Sequence, residues 1–280
     1  MVIGGYEVLA IETGRFRLDG GAMFGVVPKP LWERIAPADE RNRIAMASRS
    51  MLLRGNGRTI LVDAGNGDKY SDKLRDIFAF DTTGNDIVTS LARYGVAPGD
   101  VTDVILTHLH FDHAGGATVR VRDRIEPAFP RARYHVQRAQ WDAAHRPTER
   151  DRASYIPEDF EPLMEEGVLQ LRDDDGEILP GITTLVCYGH TTALQCPVVS
   201  DGKTSLVFCA DLVPMRPHVQ LPWIMGYDLR PLVTLEEKRR VLRRAVDEGW
   251  LLFFQHDPDV AMSRAVEDEK GFRAGPVISI

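Results

Sequence analysis

The stretch Thr107-His108-Leu109-His110-Phe111-Asp112-His113-Ala114-Gly115-Gly116 places three histidines and an aspartate within six positions, directly after the apolar run Val104-Ile105-Leu106. His108, His110 and Asp112 alternate, so an extended chain would turn all three to one side. Imidazole and carboxylate are the usual ligands of a borderline divalent cation such as zinc. A merely solvated polar loop has no reason to repeat ligand types at this spacing.

Three later apolar runs end in the same residue types. Leu185-Val186-Cys187-Tyr188-Gly189 leads to His190, Leu206-Val207-Phe208-Cys209-Ala210 leads to Asp211, and Trp250-Leu251-Leu252-Phe253-Phe254-Gln255 leads to His256. The candidate ligands are therefore His108, His110, Asp112, His113, His190, Asp211 and His256. Four segments ending alike point to a common rim where strand ends meet. An earlier run, Ile60-Leu61-Val62, stops at Asp63-Ala64-Gly65. Asp63 reads either as a turn residue or as a group supporting a ligand from behind. His135 and His145 read as surface or structural histidines, whereas His218, shortly after Asp211, has a place in a pocket.

The elements that must carry these residues can be read in part. Tyr6 to Phe16 reads as a first strand. Gly20 to Trp32 reads as a proline-broken apolar loop, either tucked under the fold or lining a pocket. Ser50–Arg54 and Arg58–Asp63 flank Gly55-Asn56-Gly57, a hairpin signal. Asp86 to Ala92 has helical spacing with Gly95 placed to stop it, and Asp103 to Leu106 is the strand that delivers the opening motif. Arg133 to Val136 reads as a strand followed by a helix through Trp141, and residues 137–167 read as a helical insertion in a single domain spanning 1–280. Strands resume at 182–188, 197–200 and 205–210. The helix Thr234–Glu248 opens on a capping box of Thr234 with Glu237 and stops at Gly249. Lys238, Arg239, Arg240, Arg243 and Arg244 read as its solvated face. Hairpins first, then strands mixed with helices, suggest sheets covered by helices.

Composition narrows the function. Of 280 residues, 44% are apolar and 27% charged, as in ordinary globular proteins. The formal charge of −7 argues against nucleic acid as the main partner. Two divalent cations would bring it to about −3, so part of the acidity is accounted for by metal. No run approaches the roughly 18 apolar residues that span a bilayer, and the N-terminal residues carry no basic, apolar leader. Cys187, Cys196 and Cys209 form no close pair and read as small buried hydrophobes in a reducing cytoplasm.

The arrangement His108-Leu109-His110-Phe111-Asp112-His113, then His190, Asp211 and His256, resembles the metallo-β-lactamase superfamily of hydrolases, with Leu61-Val62-Asp63-Ala64-Gly65 matching the segment that precedes the motif. The resemblance implies an α+β fold, an αββα sandwich. It implies that His108, His110 and His190 hold a first metal, that Asp112, His113 and His256 hold a second, and that Asp211 bridges both. Zinc is the expected metal, with iron, manganese or cobalt as the other candidates. The implied chemistry is attack on an ester-like bond by a metal-bridging hydroxide, with Asp211 and Asp112 as the catalytic carboxylates.

Within the superfamily, aspartate at 211 and the Asp112-His113 pair differ from true β-lactamases, which place a cysteine at the later position. The segments around Phe24 and from His218 through Trp223, Met225 and Tyr227 resemble the lactonase and methyl-parathion-hydrolase-like branch, and suit a small substrate with an apolar part. A lactonase is the expected activity, with a homodimer as the candidate assembly. A tyrosine common three residues after the bridging aspartate in acyl-homoserine lactonases is replaced here by Pro214, with Tyr188 or Tyr227 as substitutes. The rivals are a glyoxalase-II-type thioesterase, a phosphoester hydrolase, and a persulfide dioxygenase with one iron on His108, His190 and Asp211.

Overall fold

Alternating residues build the longest strand, Tyr6–Asp19, whose buried and half-buried positions alternate along much of its length. It runs three residues beyond the expected end. The computed structural model describes residues 1–279. By its contacts the chain divides into two compact units, Met1–Gly14 with Ser48–Asp175, and Arg15–Ala47 with Gly176–Ile280.

The first unit is organised around a seven-stranded sheet in the order Val2–Ile3, Tyr6–Asp19, Arg43–Gly55, Arg58–Val62, Asp103–Ile105, Arg133–Gln137 and Leu169–Arg172. Asn56 and Gly57 close the predicted hairpin with φ of 51° and 72°, the left-handed pair that matches strand twist in a two-residue turn. The last four strands of the sheet run parallel. Val62 lies opposite Ile105, so Asp63 and the histidine motif leave the sheet at the same carboxyl end. Leu52, Leu61, Val104, Leu106, Tyr134, Phe160 and Leu163 belong to one buried cluster. Residues 138–165 form the helix Arg138–Ala144, two single 3-10 turns and the helix Glu161–Glu165.

The second unit carries another seven-stranded sheet: Glu177–Leu179, Ile182–Cys187, Leu194–Ser200, Ser205–Phe208, Leu251–Phe253, Met262–Asp268 and Gly271–Val277. Ser205–Phe208 runs parallel to Leu251–Phe253 with Phe208 opposite Phe253, which brings Asp211 and His256 out at one end. Ile182–Cys187 and Leu194–Ser200 are antiparallel with Cys187 opposite Leu194, so the connection holding His190 emerges at that end too. All three cysteines are buried and free. Among the described residues no helix is long and apolar enough to cross a membrane.

Two local expectations fail for identifiable reasons. The segment from Gly20 to Trp32 is not open loop but two short helices, Gly20–Phe24 and Lys29–Trp32, the first capped by Asp19 Oδ1 accepting from Ala22 N at 2.8 Å. The long helix is Pro231–Asp247, so it begins before Thr234. Proline suits a first helical turn because its missing N–H is not needed there. Thr234 therefore lies inside the helix, and Glu237 accepts instead from the backbone N–H groups of Tyr188 and Gly189, at 2.7 and 3.0 Å.

The core cluster of the first unit predicts its own test. Leu61 is fully buried on the strand that ends at Asp63, so Leu61→Ala should lower stability by about 2–5 kcal/mol. Urea unfolding of both proteins measures this, and an unchanged midpoint would contradict the packing described.

Candidate metal centre

In the first unit, the chain after Ile105 stays irregular through His110 and then turns into the short helix Phe111–Ala114. His108 and His110 are thus delivered by irregular backbone, extended at His110, but Asp112 and His113 by a helical turn. The expected one-sided display of His108, His110 and Asp112 on an extended chain does not hold, because helical geometry begins at Phe111. The turn is anchored on both sides. Tyr70 donates its hydroxyl to Phe111 O at 2.8 Å, and Lys69 Nζ donates to Thr118 O at 2.9 Å while pairing with Asp159 at 3.1 Å. Burial pushes the Asp159 carboxyl up to about 6 against the opposing pull of Lys69. Gly115 and Gly116 must be glycine: a Cβ would collide with the carbonyls of Asn66 and Ala64, which the Asp63 loop lays across them.

Asp63 organises this half of the site. Its Oδ1 accepts from Thr107 N at 2.7 Å, and its Oδ2 accepts from Thr107 Oγ1 at 2.8 Å and faces His113 Nδ1 at 2.9 Å. Since the Thr107 hydroxyl gives its proton to Asp63, its oxygen is free to accept from His108 Nδ1 at 3.1 Å. Both imidazoles therefore carry Nδ1–H and turn an Nε2 lone pair outward. His108 Nε2 faces His110 Nδ1 at 3.0 Å. Asp63 reaches this position with φ of 56°, a left-handed conformation that costs a non-glycine residue about 1–3 kcal/mol.

The second unit repeats the device. His190 Nδ1 lies 2.8 Å from Asp228 Oδ1, and His256 Nδ1 lies 3.0 Å from the carbonyl of Ala47. A carbonyl only accepts, so His256 must carry Nδ1–H; an ionised Asp228 imposes the same on His190. The opposite nitrogens both face Asp211, His190 Nε2 at 3.2 Å from Oδ2 and His256 Nε2 at 3.2 Å from Oδ1. With neutral imidazoles these Nε2 lone pairs face carboxylate oxygens, an arrangement that a cation between them would satisfy. Tetrahedral ligands at 2.0–2.1 Å from zinc stand about 3.3 Å apart, close to these separations. The donor set fits divalent cations. His108, His110, Asp112 and His113 in the first unit and His190, Asp211 and His256 in the second are all buried side chains of metal-ligating type.

A family model described as the metallo-beta-lactamase superfamily matches residues 44–256, from the strand before the hairpin through His256. The chain belongs to the metallo-beta-lactamase superfamily. The two-sheet fold with helices is the class that its sequence implied. Among curated members, an N-acyl homoserine lactonase of Bacillus cereus is 29% identical over 193 residues, covering 68% of this chain. The chain spans just under two thirds, 66%, of that relative's length. A probable metallo-hydrolase of Mycobacterium bovis is 25% identical over 255 residues, covering 78% of this chain and 76% of its own. A probable metal-dependent hydrolase from Staphylococcus aureus superposes with a TM-score of 0.90 at 28% identity, over all of this chain and 99% of the other. A dizinc quorum-quenching lactonase in complex with its product superposes with a TM-score of 0.80 at 21% identity, over all of this chain and 97% of the other.

The residues expected to meet a substrate sit together in the second unit with different exposures. Phe24 is fully buried, stacked on Trp32 at 5.4 Å and on His218 at 5.1 Å, with the half-buried Trp223 edge-on at 5.5 Å. Met225 is buried and Tyr227 exposed, as is Tyr188. The segments carrying Phe24 and Trp223 are joined by Gly226 N donating to Ala22 O at 2.7 Å. Lys238, expected on the solvated face of its helix, is instead buried. Its Nζ donates to the carbonyls of Gln220, Leu221 and Trp223 at 2.9, 3.3 and 2.7 Å, and burial pulls its ammonium down to about 7. Of the two isolated histidines, His135 is buried against Asp103 at 3.0 Å and His145 is exposed.

Asp228 and the Ala47 carbonyl were given no role from the sequence, Thr107 none beyond opening the motif, and Lys238 was read as solvated. A lone aspartate closing the apolar segment Trp223–Tyr227 was the available signal for Asp228. The Ala47 carbonyl leaves no side-chain signature at all.

Two predictions follow from the hydrogen-bond roles. Removing a carboxylate behind a ligating histidine costs about 10–100-fold in metal affinity. Asp63→Ala should show a loss of that size in competition with a chromogenic chelator, and wild-type affinity would contradict the role given to Asp63. His218 Nε2 donates to Met23 O at 2.8 Å, and burial draws its pKa down to about 4. An unfolded histidine takes up its proton near 6.5. Stability from neutral His218 is thus complete above pH 6.5 and is lost as pH falls from 6.5 toward 4, at up to about 1.4 kcal/mol per pH unit. His218→Gln should flatten that part of the stability profile; an unchanged slope in urea titrations would contradict it.

Proposed function

We propose that this member of the superfamily is a dinuclear metal-dependent hydrolase that opens lactone rings. The carrying observation is Asp211, whose two carboxylate oxygens each face a different imidazole, one from His190 and one from His256. A carboxylate shared between two cations would present its oxygens in this way, which supports the reading. His108, His110 and His190 would hold the first ion with Asp211, and Asp112, His113 and His256 the second; all seven are buried side chains of metal-ligating type. Zinc suits a set of five imidazoles and two carboxylates. When bound, such ions supply Lewis acidity toward a carbonyl oxygen and a water whose pKa is lowered to about 7.

The chain's own groups do the remaining work. Asp63, Asp228 and the Ala47 carbonyl orient three imidazoles, which removes reorganisation from the reaction. Asp211, with Asp112 as the second carboxylate of the set, would take up the proton released as water adds to the carbonyl carbon and return it to the alkoxide oxygen as the ring C–O bond breaks. Trp223, Met225 and Tyr227, backed by Phe24 and His218, offer an apolar wall for an acyl group. The names of the relatives support a lactone as the substrate class. Free, buried cysteines agree with a reducing cytoplasm.

The test is a purified-protein screen across lactones, thioesters, phosphotriesters and phosphodiesters, with metal content measured on the same sample. The expected result is preferential lactone hydrolysis with about two zinc-like ions per chain. His110→Ala should lose metal and hydrolysis together, the latter by at least roughly 100-fold. One iron per chain with oxygen uptake, or turnover that persists without metal, would contradict the proposal.

A further inference from the structure

Within the second unit there is a cavity of about 540 Å³ lined by Arg15, Arg216 and Arg273 together with apolar groups that include Ile35, Met215 and Pro217. Its volume falls within the range of small-molecule sites, roughly 300–1,000 Å³. The guanidinium groups are only partly committed. Arg216 spends its Nε on Asp257 Oδ2 at 3.0 Å, and Arg273 spends its Nε on Asp268 Oδ2 at 2.6 Å. Among the described residues, no hydrogen bond uses the terminal Nη groups of either. Arg15 Nη1 donates to the Pro258 carbonyl at 2.7 Å, which fixes that side chain at the cavity.

Charge and shape together select a ligand. Two guanidinium forks with available Nη groups match a carboxylate or phosphate. Asp257 and Asp259 also line the cavity, so its five charged residues sum to +1. Asp257 is already occupied, since Oδ2 accepts from Arg216 and Oδ1 accepts from Asp259 N and Val260 N at 3.1 and 2.9 Å. A surplus of one positive charge balances a monoanion and leaves a phosphate dianion in excess. Ile35 is 53% exposed, a large apolar side chain left open to solvent beside the guanidinium groups. An apolar tail on the anion would cover it.

We propose that this cavity is a second binding site, separate from the metal ligands, for a small monocarboxylate with an apolar tail. Arg216 and Arg273 receive the carboxylate, and Ile35, Met215 and Pro217 receive the tail.

The test is calorimetric titration of the metal-loaded protein with hexanoate, with hexan-1-ol and hexylammonium as controls. Because bound metal also takes up carboxylates, the site is isolated by two variants. Arg273→Ala removes one fork, and Ala45→Trp fills the cavity from its exposed rim without touching a guanidinium group. Hexanoate should bind saturably where the alcohol and the amine do not. Arg273→Ala should weaken that binding by about tenfold or more, as expected for a lost charge-assisted pair. Ala45→Trp should abolish it, and both variants should keep wild-type metal content. Wild-type hexanoate affinity in both variants, or equal binding of hexanol, would overturn the proposal. A failure here leaves the metal centre untouched, since neither variant alters a metal ligand.

Discussion

Committing one nitrogen of an imidazole decides what the other can do, and the candidate centre depends on that constraint. Asp63 faces Nδ1 of His113, Asp228 faces Nδ1 of His190, and the Ala47 carbonyl faces Nδ1 of His256. Each such contact puts a proton on Nδ1 and, in a neutral ring, leaves the Nε2 lone pair open to a cation. Without them, buried imidazoles beside buried carboxylates would be free to choose tautomers, and the Nε2 atoms facing Asp211 could carry hydrogen instead of a lone pair. The backing groups thus convert a cluster of polar side chains into a ligand set with defined charge demand.

Holding those groups in place accounts for much of the surrounding detail. Asp63 sits in a left-handed conformation at the end of a parallel strand, where its carboxylate reaches both Thr107 and His113. Glycines 115 and 116 let that loop approach the ligand helix more closely than any side chain allows. Ala210, immediately before Asp211, also has positive φ, at 43°. Strain of this kind next to ligand positions is tolerated because strands buried on both sides over-determine the backbone. In the second unit, Lys238 plays a comparable part at one remove, tying the Gln220–Trp223 segment to the long helix through three carbonyls.

How much of this could be read from residues alone varied with the physics involved. The seven candidate ligands were legible because four separate apolar runs lead into histidine or aspartate. The placement of Asp112 was not, because alternation in sequence was read as extension where a helical turn begins at Phe111. The start of the long helix was misplaced by reading Thr234 and Glu237 as a capping pair; Pro231 three residues earlier was the stronger start signal. Lys238 was assigned to solvent with its basic neighbours, although it lies at helical spacing between Leu235 and Val241 on the apolar stripe. Asp228 lies 38 residues from the His190 it supports, and only tertiary structure joins them.

The tautomer pattern is open to direct observation. A long-range proton–nitrogen correlation spectrum of the zinc-loaded protein reports which nitrogen of each imidazole carries hydrogen. The account predicts protonated Nδ1 and metal-shifted, unprotonated Nε2 for His113, His190 and His256. An Nε2–H signal from any of the three would contradict it.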